Sequence, residues 1–127
     1  MKLFVEFFVP DLKRSCAFYT EALGMRVKRE TPGFIELELG EAQINLCSIE
    51  SISHGHFLSK SISSPVGSRT EFCLEVADLE ASYARALKAG ANVIEPIRKM
   101  PWGRSDFRIS DPDGAYLRIT TPVVQQN

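Results

Sequence analysis

Lysine and arginine nowhere gather into a run, and the balance of 15 basic against 16 acidic residues leaves a formal charge of −1. Without a basic stripe, nucleic acid is not expected as a partner. Long apolar runs are missing too. The longest are strand-sized, such as Leu3 to Val9, and Glu6 interrupts that one. Nothing approaches a membrane span, and no charged-then-apolar signal segment opens the chain, so no membrane partner is expected. Cysteine is scarce: Cys16, Cys47 and Cys73 are odd in number and far apart. They are expected as reduced thiols in a cytoplasmic protein, not as a disulfide framework. The only histidines, His54 and His56, lie in a Ser/Gly-rich stretch and are expected to be solvated. What these absences leave is one globular domain over residues 1–127, large enough to bury a core unaided.

What the chain does have is an internal repeat. Val9-Pro10-Asp11-Leu12 through Ala17 lies over Val76-Ala77-Asp78-Leu79 through Ala84 at a constant offset of 67, with Asp, Leu, Ser and Ala recurring. One residue is then lost, and Leu23-Gly24 lies over Ala89-Gly90 at an offset of 66. Each copy predicts an apolar strand, an Asp-capped helix, a glycine stop and three further strands. The helices are expected over about 12–23 and 79–89, with Leu12, Cys16, Tyr19 and Leu23 inward on the first and Leu79, Tyr83, Ala86 and Leu87 inward on the second. The fold class is therefore α+β: two βαβββ halves over about 2–47 and 70–120, joined by a Ser-rich linker over about 48–69 and followed by a short tail over 121–127.

Strand alternation divides the residues between two faces. Val5, Phe7 and Val9, Ile35 and Leu37, Phe107 and Ile109, and Leu117 and Ile119 would pack on helices. The opposite face carries Phe4, Glu6 and Phe8, Glu36 and Glu38, Glu71, Cys73 and Glu75, Asp106 and Arg108, and Tyr116 and Arg118. In an open antiparallel sheet such a face simply meets solvent. With two twisted repeats it is expected to curve into a cup-shaped mixed sheet with the helices outside, the kind of concavity that holds a small molecule. Trp102, in Met100-Pro101-Trp102-Gly103, would sit at the rim as a flat stacking platform.

The paired halves, Val9-Pro10-Asp11-Leu12 with Phe18-Tyr19 and Leu23-Gly24, Val76-Ala77-Asp78-Leu79, and the turn Asp111-Pro112-Asp113-Gly114 resemble the vicinal oxygen chelate superfamily. This is the glyoxalase, bleomycin resistance protein and extradiol dioxygenase group. The resemblance runs from Leu3 to about Pro122 and is specific for fold more than for reaction. Metal-dependent members ligate from the first strand of each half and from the last strand. Those ligand positions fall here on Phe4, on Glu71 and on Arg118, with a fourth most nearly at Asn45. Phenylalanine offers no donor and arginine stays protonated. The resemblance therefore implies no metal at the usual place and no cofactor, Arg118 instead meeting Glu71 in a salt bridge.

Pro-Trp-Gly ahead of Asp-Pro-Asp-Gly is similar to bleomycin-resistance-like members, which bind without a catalytic metal. That implies a cytoplasmic small-molecule-binding role, the sequestration of a drug or toxin, in a homodimer, with ligand contacts from Phe4, Glu6, Phe8, Asn45, Glu71, Trp102, Arg108, Tyr116 and Arg118. Bleomycin itself fits poorly, because members that bind that cation are strongly acidic. The alternative is a lyase, isomerase or dioxygenase of the same superfamily, with a non-standard metal site or with Glu6 or Glu71 as general base.

Overall fold

In the computed structural model, residues 1–52, 55–61, 69–101 and 103–122 are described. The first half runs β1 (Val5–Val9), α1 (Leu12–Glu21), β2 (Arg26–Thr31), β3 (Phe34–Leu39) and β4 (Ala42–Ser48). A short 3-10 turn over Ile49–Ser51 follows. The second half runs β5 (Phe72–Glu75), α2 (Leu79–Lys88), β6 (Asn92–Lys99), β7 (Ser105–Ser110) and β8 (Tyr116–Thr120). Both helices are ten residues long and open as the repeat predicts. The Asp11 carboxylate accepts from the Arg14 N–H and the Asp78 carboxylate from the Ala81 N–H, each at 3.0 Å. Both end at a glycine with positive φ, 77° at Gly24 and 75° at Gly90, a conformation that a Cβ would strain.

Each half folds into its own four-stranded mixed sheet, in the orders β1-β4-β3-β2 and β5-β8-β7-β6. The first strand of each half runs parallel to the last, and the remaining pairs are antiparallel. Among the described residues no ladder joins β1 to β5, so the two βαβββ units expected from the sequence each contribute an open four-stranded mixed sheet. The strands that open each half, expected over 2–9 and 70–76 from the apolar pattern, are also shorter. Lys2 to Phe4 and Thr70 to Glu71 fall outside β1 and β5, because the parallel ladders begin at Val5 opposite Ile44 and at Phe72 opposite Leu117.

The apolar faces of both sheets meet in one core with the inward sides of the helices. Phe7, Val9, Leu37, Leu46, Phe107, Ile109, Leu117 and Ile119 belong to it, and Phe7 meets Phe72 edge-on across the two halves with ring centroids 5.1 Å apart. Leu87 departs from the expected inward stripe and is 51% exposed. Leu79, Tyr83 and Ala86 lie within about 40° of one line along α2, whereas Leu87 is about 80° from it and misses the sheet. No helix among the described residues is long and apolar enough to cross a membrane.

The halves are also joined by polar bonds from α1 to the β7–β8 turn. The Tyr19 hydroxyl donates to Asp111 Oδ2 at 2.7 Å, the Ser15 hydroxyl donates to Asp113 at 3.2 Å, and Arg14 donates to the Pro112 carbonyl. Tyr19 and Ser15 are almost fully buried. Burial and the adjacent Asp111 carboxylate push the Tyr19 phenol far above its ordinary value, so it stays a donor. Tyr19→Phe removes one hydrogen bond to a charged acceptor and should cost about 1.5–3 kcal/mol. Urea unfolding should show this as a lower midpoint at unchanged slope. A midpoint equal to that of the parent would mean the bond contributes nothing.

Candidate functional site

The face of each sheet away from the helices carries its own polar network, and strand register dictates the members. In the first half Glu6, Asn45 and Glu36 are cross-strand neighbours on β1, β4 and β3. Asn45 is only 4% exposed, so its amide must find partners inside the protein. It donates to Glu6 at 3.3 Å and accepts from Gln43 at 3.2 Å, and Gln43 also donates to Glu36 at 2.9 Å. Arg29 pairs with Glu36 and Arg26 with Glu38, each at 3.2 Å. Glu6 is thus the acid of this face that meets only a neutral amide among the described residues. Phe8, half-buried, meets the His56 ring edge-on at 5.2 Å, and Phe4, just ahead of β1, is 47% exposed.

In the second half, register sets Arg118 between Cys73 on β5 and Arg108 on β7. Two guanidiniums side by side across a sheet repel. The acids around them offset that charge. Arg118 Nε lies 3.3 Å from Glu71 Oε1, in contact but off hydrogen-bond alignment, and its Nη2 reaches the Cys73 sulfur at 3.3 Å. Arg108 donates through Nε to the Tyr116 oxygen at 2.7 Å, and the Tyr116 hydroxyl donates onward to Glu71 Oε2, also at 2.7 Å. Arg108 further contacts Asp106 Oδ1 at 3.4 Å. The chain Asp106–Arg108–Tyr116–Glu71–Arg118 is therefore continuous. The sequence-predicted meeting of Glu71 and Arg118 is present in it.

Electrostatics follow from these contacts. The Tyr116 hydrogen bond above all holds the Glu71 carboxyl below the usual carboxylate range, against some desolvation, with Cys73, Arg118 and Arg108 adding to the effect. Desolvation and the Glu71 hydrogen bond raise the Tyr116 phenol, although Arg108 opposes them. Desolvation and Glu71 likewise raise the Cys73 thiol, with Arg118 opposing, so a thiolate nucleophile is disfavoured.

The structure thus gathers Glu6 and Asn45 in one network and Glu71, Arg108, Tyr116 and Arg118 in another, while Phe4 and Phe8 flank the first. Each network's bonds stay within its own half. Trp102, and His54 of the histidine pair, lie outside the described residues. Two members were not singled out from the sequence. Gln43 carried no signal beyond strand alternation. Asp106 shares its face with Arg108 two residues on, which marks it, yet its complete burial depends on packing from neighbouring strands. Its Oδ2 is buried with no hydrogen-bond partner among the described residues.

A metal would need several oxygen, nitrogen or sulfur donors converging. Arg118 fills that space with a cation paired to Glu71, Phe4 supplies no donor, and among the described residues no three His, Cys, Asp or Glu side chains form a group suited to an ion. The residues present do not fit the metal centre of metal-dependent relatives.

Comparison with known proteins agrees with this architecture. The family model Glyoxalase/Bleomycin resistance protein/Dioxygenase superfamily matches residues 3–119. The uncharacterized protein YwbC of Bacillus subtilis is 34% identical over 117 residues, covering 87% of this chain and 89% of that protein. A shorter match, 35% identical over 54 residues, covers 42% of this chain and 36% of an uncharacterized protein of Mycobacterium bovis. A glyoxalase/bleomycin resistance protein/dioxygenase family enzyme from Burkholderia phytofirmans superposes with a TM-score of 0.79 at 19% identity, over 97% of this chain and 100% of that one, a likeness of fold.

The Tyr116–Glu71 bond makes a pH-dependent prediction. Glu71 has a depressed folded-state pKa, so its contribution to stability is complete above the unfolded value and is lost as pH falls through the folded one. In Tyr116→Phe the Glu71 carboxyl-carbon NMR titration should shift to higher pH. The stability gap between the two proteins should be present at neutral pH and narrow in acid. An unmoved Glu71 midpoint would show that Tyr116 does not set it.

Proposed function

This chain belongs to the glyoxalase/bleomycin resistance protein/dioxygenase superfamily, and we propose that within it the protein binds a small molecule without a catalytic metal. The observation that carries this reading is the contact of Arg118 with Glu71 at 3.3 Å, at positions that converge on an ion in metal-dependent relatives. An arginine there repels a divalent cation and offers a planar fork to a carboxylate, or to a ligand's anionic group. The polar faces supply the rest. Phe4 and Phe8 are apolar surfaces for a ligand ring, Glu6 and Asn45 take its donors, and Arg108, Tyr116 and Arg118 take its acceptors. The proposed role is sequestration, in which tight binding itself is the function.

The working unit in this reading is a homodimer. Among the described residues β1 pairs only with β4 and β5 only with β8, so each sheet keeps an unpaired edge beside its polar face. Such edges are normally covered. A second copy would cover them and set the polar face of one half against that of the partner's other half.

A catalytic reading is favoured by one residue only. Glu71 is a poor general base, because it is already bonded to Tyr116 and held below the usual range. Glu6 is the better candidate, since it meets only the Asn45 amide. Direct measurements test these readings. Protein purified without chelator should carry only substoichiometric metal, and small-molecule binding in a thermal-shift panel should survive EDTA. Arg118→Ala should relax the preference for anionic ligands while costing less than about 1 kcal/mol of stability, since the Glu71 side chain left behind is 37% exposed and open to rehydration. Sedimentation should give twice the 14.2 kDa chain mass. Stoichiometric zinc, iron, nickel or manganese would overturn the metal-free assignment, and turnover lost in Glu6→Gln would establish the enzyme instead.

A further inference from the structure

Between the halves, beside the helices, lies a cavity whose lining shares only Cys73 and Glu75 with the polar faces, and the internal repeat explains its origin. At one junction between the halves, α1 is tied to the turn over residues 111–115 by Arg14, Ser15 and Tyr19. At the repeat offset these three residues become Ala81, Ser82 and Ala86 on α2. The turn facing α2 is also shorter, only Gly40 and Glu41 between β3 and β4. The large side chains and the long turn that close one junction are both missing at the other. A cavity of about 760 Å³ remains there, against about 300 Å³ at its counterpart. Sites for small molecules run to about 300–1,000 Å³.

The lining gives the chemistry of an occupant. Leu23 and Met25 after α1, Leu39 at the end of β3, and Leu74 and Ile119 from the second sheet provide apolar walls. Arg85 of α2 supplies a cation. Its guanidinium lies over Gly24, so close that a Cβ there would sit 3.2 Å from its central carbon. Among the described residues Arg85 makes no ion pair, while two acids of the lining are engaged elsewhere: Glu75 with Arg104 at 2.8 Å and Asp78 with the first turn of α2. The third, Glu41, stands exposed on the short turn. We propose that this cavity is a second ligand site, taking an apolar molecule with one anionic group, such as an aromatic or fatty carboxylate, whose body lies between the halves and whose anion rests on Arg85.

The fluorescent aromatic sulfonate 8-anilinonaphthalene-1-sulfonate and the neutral N-phenyl-1-naphthylamine test this in the full-length protein. The sulfonate should bind saturably, one per chain, with near-UV circular dichroism unchanged. Ala81 is exposed and borders the cavity, so Ala81→Trp should fill the mouth without disturbing the core and weaken both probes about tenfold or more. Arg85→Gln should weaken the sulfonate about three- to tenfold and leave the neutral probe unchanged. Arg118→Gln, on the polar face, should alter neither. Amide shift mapping gives an answer independent of any variant's folding: bound sulfonate should perturb Gly24, Gly40 and Leu74. Failure to bind, perturbations centred on Arg108 and Arg118, or unchanged affinity in a folded Ala81→Trp would each overturn the proposal.

Discussion

The assembly depends on one carboxylate. Asp111 accepts the Tyr19 hydroxyl from the other half and the backbone N–H groups of Asp113 and Ala115 from its own turn, the last at 2.8 Å. A buried carboxylate with three donors has its hydrogen-bonding capacity met inside the protein. The same oxygens therefore shape the β7–β8 turn, aim β8 back along the sheet, and pin α1 of one repeat to the other. β8 bears Tyr116 and Arg118, so the geometry of the second polar network is set from that turn outward.

Local interactions explain why much of this was legible before the structure. The Asp caps and glycine stops act over three or four residues, and both helices start at the expected position and end within two residues of it. The strands expected from the sequence over 34–39, 105–110 and 116–120 are β3, β7 and β8 to the residue, because glycine, proline or aspartate turns bound them closely. Features that need a distant partner were less legible. β1 and β5 are trimmed by where their parallel neighbours begin. Leu87 looked apolar enough to face inward, but the sheet beneath α2 does not extend to it. The break between the two sheets is likewise a matter of non-local pairing, which alternation within a strand leaves open.

The candidate site divides along the same line. Which residues share a face was readable from period-two alternation, and the meeting of Glu71 with Arg118 was implied by the superfamily's ligand positions, on which both residues fall. The hydrogen bonds were not readable. Tyr116 looked like a ligand-facing ring, yet its hydroxyl links Arg108 to Glu71 and sets the acid's proton affinity. Asn45 looked like a vestigial ligand position, yet its burial makes it the hub of the first network. Adjacent arginines would be a liability on a bare sheet. Here they are tolerable because acids and a phenol stand between them.

The confinement of each polar network to its own repeat has an evolutionary consequence. After a duplication, selection can rewrite one copy's surface residue by residue without leaving a broken bond in the other, because among the described residues the two copies meet in their hydrocarbon interior and in the bonds of α1 to the β7–β8 turn. Coupled drift is required in that interior, whereas the outward strands are free to diverge. A lineage built this way can change what it recognises one half at a time.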